Sequence, residues 1–172
     1  RPKKIYCYEP QKIFYKKLIN LKKKYKFLKL FNYGLGSKIN NEKIYYPYIK
    51  IFNKKLVLFA YSFPNKKELE KQINLDFLIK PKIYQDKITI KKFKVPKNKI
   101  DLIKIDTNGS EIDIISSIMP VLKRDKPVLI IENNNINKIN NKIKFLKYNK
   151  FCVEKNSLRK HTSQKNVNVI FK

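Results

Sequence analysis

The sequence predicts an α/β fold: a doubly wound sheet of mostly parallel strands, covered by helices on both faces, with an antiparallel last strand. Three observations lead there. Short apolar runs alternate with stretches whose apolar residues recur at helical spacing, as strand–helix–strand units require. Two runs, residues 5–8 and 128–131, are apolar throughout, which suits strands buried on both faces. The last two strand candidates, residues 151–153 and 167–171, have no helical pattern between them, so they should pair antiparallel at one edge.

Taken in order, Ile5-Tyr-Cys-Tyr8 closes at Glu9-Pro10, and Pro10 sits where a helix can begin without the N–H that proline lacks. Phe14, Leu18, Leu21 and Tyr25 then form one apolar stripe among lysines. A second strand is expected from residue 27 to about 33, stopped by Gly34-Leu-Gly36. Residues 38–87 are the least regular and read as a variable insertion, of the kind that often covers a binding site. That stretch holds an aromatic run at 44–48, a strand candidate at 56–63 and a polar helix near 66–73. Residues 88–95 alternate apolar and polar, as a half-exposed strand does.

Residues 100–105 form a strand ending at Asp106, followed by the turn Thr107-Asn-Gly109. Ser110-Glu111 opens a helix whose Ile115, Ile118, Met119 and Leu122 share a face, and Pro120 is expected to kink or split it. The apolar strand 128–131 ends at Glu132-Asn133. Ile136, Ile139, Ile143 and Leu146 mark the next helix, and a polar loop around 157–165 joins the closing strands. With 172 residues, 42% apolar and 31% charged, and no internal repeat, the whole chain reads as a single domain.

The formal net charge of +28 invites a nucleic-acid reading. Yet only Arg1, Arg124 and Arg159 are arginines among 41 basic residues, so bidentate partners for phosphate and guanine are scarce. Lysine is crowded with asparagine, isoleucine, tyrosine and phenylalanine, all residues of A/T-rich codons, so a biased genome explains the charge without any selected function, and nucleic acid is not the expected partner. No run of about 18 apolar residues is present to span a membrane. Cys7 and Cys152 sit in apolar runs and read as small buried hydrophobes of a reducing, cytoplasmic compartment. His161 is the lone histidine, with no cysteine or second histidine near it, which speaks against a zinc site. The chain starts at Arg1 and enters an apolar run almost at once with no signal-peptide pattern, which reads as a truncation.

In doubly wound sheets the ligand lies beyond the carboxyl ends of the strands. Glu9, Asp106 and Glu132 each directly follow an apolar strand. A carboxylate at the position of Glu9 can accept both hydroxyls of a ribose, or it can cap the helix that follows. Asp106, Asn108 and Gly109 are also ordinary turn formers, and Glu111 in a first helical turn also compensates the helix dipole.

The segment Ile103-Lys-Ile-Asp-Thr-Asn-Gly-Ser-Glu111 resembles the hallmark of the FkbM-type methyltransferase family, K-I-D-(V/T)-E-G-x-E. Tyr6-Cys-Tyr-Glu-Pro10 resembles that family's aromatic-x-E-P signature at the end of its second strand. Lys126-Pro-Val-Leu-Ile-Ile-Glu-Asn133 and Val167-Asn-Val-Ile-Phe171 resemble its next and closing strands, in the same order and spacing. The resemblance implies a Rossmann-like class I methyltransferase sheet, with the family's first strand and glycine-rich loop falling upstream of Arg1. A polypeptide without them is expected to be inactive alone. It further implies S-adenosyl-methionine as cofactor and a sugar or related small metabolite as the acceptor of an O-methylation. By the same resemblance Glu9 holds the ribose, and Asn32, Tyr33 and Gly34 border the adenine. Asp106 lies near the methyl group and the acceptor, with Glu111 supporting its turn. Asn108 departs from the pattern, since the family most often has Glu there.

Magnesium is a further option, because Asp106, Glu132 and Asn133 offer oxygen ligands from adjacent strand ends. Strand-end carboxylates that merely accept hydrogen bonds are the plainer alternative. Two rival functions stand beside the enzyme: a lysine-rich, non-catalytic nucleic-acid-binding module, and a methyltransferase acting on RNA.

Overall fold

The computed structural model describes residues 2–52, 54–77, 80–132, 135–154, 157–160 and 168–172. The chain divides into two compact units, Arg1–Lys92 and Phe93–Lys172.

The amino-terminal unit begins with the expected strand–helix–strand. Strand β1 (Ile5–Tyr8) pairs in parallel with β2 (Leu28–Phe31), Ile5 opposite Leu28 and Tyr8 opposite Phe31, and α1 (Lys12–Lys24) connects them. Lys22, Lys23 and Lys24 in the last turn of α1 complement the negative end of its dipole. The chain then passes into a second sheet through β3 (Gly34–Leu35). This sheet also holds β4 (Asn40–Ile51), β5 (Lys54–Val57) and β6 (Lys82–Lys91), in the order β3-β6-β4-β5. Its spine is the long antiparallel pairing of β4 with β6, from Asn40 opposite Ile90 to Tyr48 opposite Lys82. Ile44, Tyr46, Ile88 and Ile90 form its core, with Val57, Phe59 and Tyr84 packed against them. Helix α2 (Lys66–Asp76) is capped by Asn65, whose side chain accepts the Lys67 N–H at 2.9 Å, and buries Leu69 and Ile73.

Three sequence expectations shift here. The strand expected over 88–95 ends at Lys91 and begins six residues earlier than expected, at Lys82. Alternation continues past Lys91 in the sequence, but the partner strand starts at Asn40, opposite Ile90, so the ladder has nothing left to pair with. The candidate at 56–63 shortens to Lys54–Val57, and the chain turns at Leu58 before returning as a single bridge from Phe63 to Tyr45. The strand expected to run to about residue 33 ends at Phe31, and Gly34-Leu35, expected as its stop, form β3 beside β6, where only a glycine fits. A Cβ on Gly34 would lie 2.8 Å from the buried Ile90 side chain and 3.6 Å from the Pro10 ring.

In the carboxy-terminal unit β7 (Leu102–Ile105) and β8 (Val128–Glu132) pair in parallel, connected by α3 (Glu111–Asp125). Helix α4 (Ile136–Ile143) and a 3-10 turn (Lys144–Leu146) lead to β9 (Lys150–Glu154), β10 (Ser157–Lys160) and β11 (Asn168–Phe171). The sheet order is β10-β9-β11-β8-β7. The last strand is antiparallel as expected, but it lies between β8 and β9 and pairs with both. The expected polar loop starts instead as β10, which forms an antiparallel ladder with β9. Ile115, Val121, Leu122, Leu129, Ile131, Ile139, Val169 and Phe171 are completely buried and form the core of this unit.

Helix α3 is not split at Pro120 but runs through it. Pro120 is exposed while Ile118, Val121 and Leu122 around it are buried, so packing of the opposite face holds the helix across the missing hydrogen bond. At its end, Arg124 donates to the carbonyls of Pro96 and Asn98 at 2.9 and 3.2 Å, and twice to Asp125 at 2.7 Å. Asp125 in turn accepts the Ile100 N–H at 2.9 Å, and the Arg124 guanidinium holds its carboxyl down at about 2. This clip fixes the run into β7.

Candidate functional site

Two strand-end clusters carry the candidate residues, one in each unit. In the first, the Glu9 N–H donates to the Phe31 carbonyl at 3.0 Å, extending the β1–β2 ladder by one bond and fixing where the acid leaves the sheet. Its carboxylate accepts the Gln11 N–H at 2.8 Å, just ahead of α1. Burial raises the Glu9 carboxyl above its usual range, and the Gln11 hydrogen bond opposes that rise. Asn32 clamps the same turn, its amide donating to the Glu9 carbonyl at 2.9 Å and the Pro10 carbonyl at 3.3 Å.

Beside this clamp stands an aromatic cluster. Tyr8 stacks on Phe31 with centroids 4.9 Å apart and planes 12° apart, and Tyr33 is tilted against both at 5.6 Å. Lys91 places its ammonium 4.9 Å from the Tyr33 ring. Burial and the neighbouring tyrosines push the Tyr8 phenol up to about 12, so it stays protonated. Glu9, Asn32, Tyr33 and Gly34 therefore gather around one turn, with Gly34 against Pro10.

In the second cluster Asp106 is exposed and its carboxylate is ion-paired with Lys104. Glu111 is completely buried, a carboxylate in the first turn of α3. It accepts the Thr107 hydroxyl and the Gly109 N–H, both at 3.1 Å, and the Asn135 amide at 3.4 Å. Gly109 adopts φ 102°, a conformation that suits glycine, and Glu111 holds that turn from within. Glu132 follows Ile131, which pairs with Ile105, so Glu132 and Asp106 end neighbouring strands. Asn133 lies outside the described residues. Among the described residues no group of three or more His, Cys, Asp or Glu side chains is arranged to hold a metal ion.

The profile of the methyltransferase FkbM domain matches residues 2–152. The chain belongs to the FkbM methyltransferase family. The crystal structure of methyltransferase FkbM from Methylobacillus flagellatus KT has a similar fold, with a TM-score of 0.57 at 15% identity over 99% of this chain. This FkbM-family chain spans 36% of the length of that one. No curated protein matches it significantly in sequence.

Sequence reasoning missed several partners in both clusters of this FkbM-family chain. Gln11, Tyr8 and Phe31 around Glu9, and Asn135 on Glu111, are polar or aromatic residues with no local pattern. Their only signal was position. Tyr8 and Phe31 are the last residues of two strands that pair in register, and Asn135 immediately precedes α4.

Proposed function

We propose that the chain is part of an S-adenosyl-methionine-dependent methyltransferase that O-methylates a sugar or related small metabolite. Family membership supports the reaction class, and the Glu9 turn is the observation that supports the cofactor. There a half-buried carboxylate follows a strand in a parallel pair, its backbone locked to β2 and one oxygen held by the Gln11 amide. That arrangement fits a ribose, whose two hydroxyls donate to a carboxylate fixed in this way. The adjoining rings of Tyr8, Phe31 and Tyr33 offer aromatic surface for an adenine, and Asn32 and Gly34 keep the turn tight beneath it.

When bound, the cofactor supplies an activated methyl group. The chain's own contribution is placement and proton management. Asp106, at the end of β7, is the group proposed to face the acceptor hydroxyl and receive its proton. Glu111 acts through the 107–109 turn, keeping the path of the backbone after Asp106 fixed. A bound magnesium at Asp106 and Glu132 is not part of this reading. The proposed setting is a reducing compartment such as the cytoplasm, in keeping with the free thiols of Cys7 and Cys152.

The test is calorimetric titration of S-adenosyl-homocysteine into the protein as its gene encodes it, with and without Glu9→Gln. Loss of a charge-assisted pair of hydrogen bonds should weaken binding about tenfold or more. Unchanged affinity in the variant removes Glu9 from the site, and no binding by either protein overturns the cofactor assignment.

A further inference from the structure

In the amino-terminal unit β4 outruns its partner β6. Their pairing ends at Tyr48 opposite Lys82, and beyond it β4 pairs with β5 alone, Ile49 opposite Leu56, Lys50 opposite Lys55 and Ile51 opposite Lys54. At a rise of about 3.3 Å per residue, residues 49–51 carry this hairpin end about 10 Å past the last rung shared with β6.

Cross-strand partners and alternate residues lie on the same face of a ladder, so Ile49, Ile51 and Leu56 share one. Ile51 is 45% exposed, Leu56 49% and Phe52, next to Ile51 at the turn, 97%. Apolar side chains exposed singly need no explanation, but neighbours gathered at one tip mark a contact surface. Phe52 adds strain. Its φ of 45° is a left-handed conformation that glycine or asparagine takes readily and a bulky residue rarely does. A ring so exposed returns no packing for that strain, so the fold alone does not account for an aromatic here.

The rest of the hairpin end is cationic. Lys50 and Lys55 stand directly opposite each other, and like charges at such a pair destabilise the ladder. The Lys55 ammonium lies 3.9 Å from the Tyr84 ring centre and 4.2 Å from that of Tyr48, so two rings hold it on that face. Lys54 stands on the apolar face, opposite Ile51. The sequence from Lys43 to Lys67 contains no aspartate or glutamate to offset these charges. Asp86, the acidic residue of β6, lies further back, opposite Ile44.

We propose that this hairpin end docks on an anionic lipid surface, with Ile51 and Phe52 entering the boundary between headgroups and acyl chains and Lys50, Lys54 and Lys55 against the phosphates. The reach fits, because apolar groups held in that boundary lie about 5–10 Å deep and lysine stems let their charges stay at headgroup level. The lipid phosphates also relieve the repulsion between Lys50 and Lys55. Lipid is favoured over single-stranded nucleic acid by the company that Phe52 keeps. Ile49, Ile51 and Leu56 have no ring face on which a base can stack, whereas all of them gain on leaving water for hydrocarbon. The contact is peripheral, since no helix among the described residues is long and apolar enough to cross a membrane.

The test is sedimentation of the protein with vesicles of phosphatidylcholine and phosphatidylglycerol in equal parts, and with phosphatidylcholine alone, at physiological ionic strength. Binding should need the anionic lipid; equal binding to both vesicles overturns the proposal, as does none. Phe52→Ala should weaken it about tenfold at an unchanged melting temperature, and Lys50→Gln or Lys54→Gln about fivefold each. A chain of net charge +28 is attracted to any anionic surface, so the decisive readout is depth. The sequence contains no tryptophan, and Phe52→Trp therefore adds a reporter, read as the difference from the parent's emission. That emission should move to the blue on anionic vesicles and be quenched by brominated acyl chains. Ile39→Trp, at a 71% exposed position beside the other end of β4, should show neither effect. Equal responses at the two positions, or unchanged binding of Phe52→Ala, would show attraction by the lysines alone and overturn the site. So would a blue shift without lipid that grows with protein concentration, the mark of a second copy, or Phe52-dependent binding of a single-stranded RNA oligonucleotide in place of vesicles. None of these outcomes bears on the Glu9 turn, which the cofactor titration tests by itself.

Discussion

Glu9 gives up its proton less readily than it would in water. Burial raises its carboxyl above the ordinary 4.5, so the folded protein binds that proton more tightly than the unfolded chain does. Stability from this group is therefore fully present below about 4.5 and falls as pH climbs through the raised native value. Glu9→Gln removes that loss. The variant should gain on the parent between pH 4 and pH 7, read as a growing difference in urea midpoint; a constant difference across that range would mean the carboxyl is not perturbed. A residue kept at the expense of stability and placed at a strand end is what a binding role leads one to expect. Its position was legible in the sequence, because an acid directly after an apolar run marks a strand end. Its surroundings were not. Phe31 and Asn32 reach it only once β1 and β2 have found their register, and that is a tertiary event. Glu111 shows the same split: its place in the first turn of a helix was readable, its burial beneath Thr107, Gly109 and Asn135 was not.

At the scale of elements, helices were the more legible class, because a period near four residues marks both their face and their extent. Helices α3 and α4 bury most of the stripe that their spacing foretold, whereas α1 buries none of its own: Phe14 and Leu18 are half-buried and Leu21 and Tyr25 exposed. Strands showed their presence but not their ends. β6 overran its expected start and stopped short of its expected finish, since alternation records which face is apolar and says nothing about where the partner strand stops. Pro120 misled in the other direction. Local rules set its cost at about 3 kcal/mol in a helix interior, yet the buried residues on either side outweigh it. Pro120→Ala restores an N–H at an exposed, already helical position, and should stabilise the protein by about 1–3 kcal/mol. Urea unfolding checks this through a raised midpoint at unchanged slope. An unaltered or lowered midpoint would mean that the stiffness proline imposes on the unfolded chain offsets the recovered bond.

For the molecule as a whole, the dominant quantity is the charge of +28. Among the described residues the ion pairs Lys66–Glu70, Lys104–Asp106 and Arg124–Asp125 engage few of the cations. The rest repel one another within a Debye length that is about 10 Å at 0.1 M salt. Raising sodium chloride from about 0.02 to 0.5 M should therefore raise the melting temperature by several degrees, most of it below about 0.2 M where screening changes fastest. A flat or falling profile would show that the lysines are too dispersed for their repulsion to matter.

The β9–β10 hairpin gives the same charge a second consequence. Among the described residues β10 is an outermost strand of its sheet, with Leu158 57% exposed and Lys160 at its end. An outermost strand of this kind is a template on which another copy can add its own strand, and interspersed lysines are a common guard against that event. The lysine excess thus acts as colloidal protection: each copy keeps its neighbours at a distance greater than strand pairing needs. Salt then pulls in two directions, firming each folded copy while lowering the barrier between copies, so the conditions that best preserve the fold are those under which the protein is least soluble.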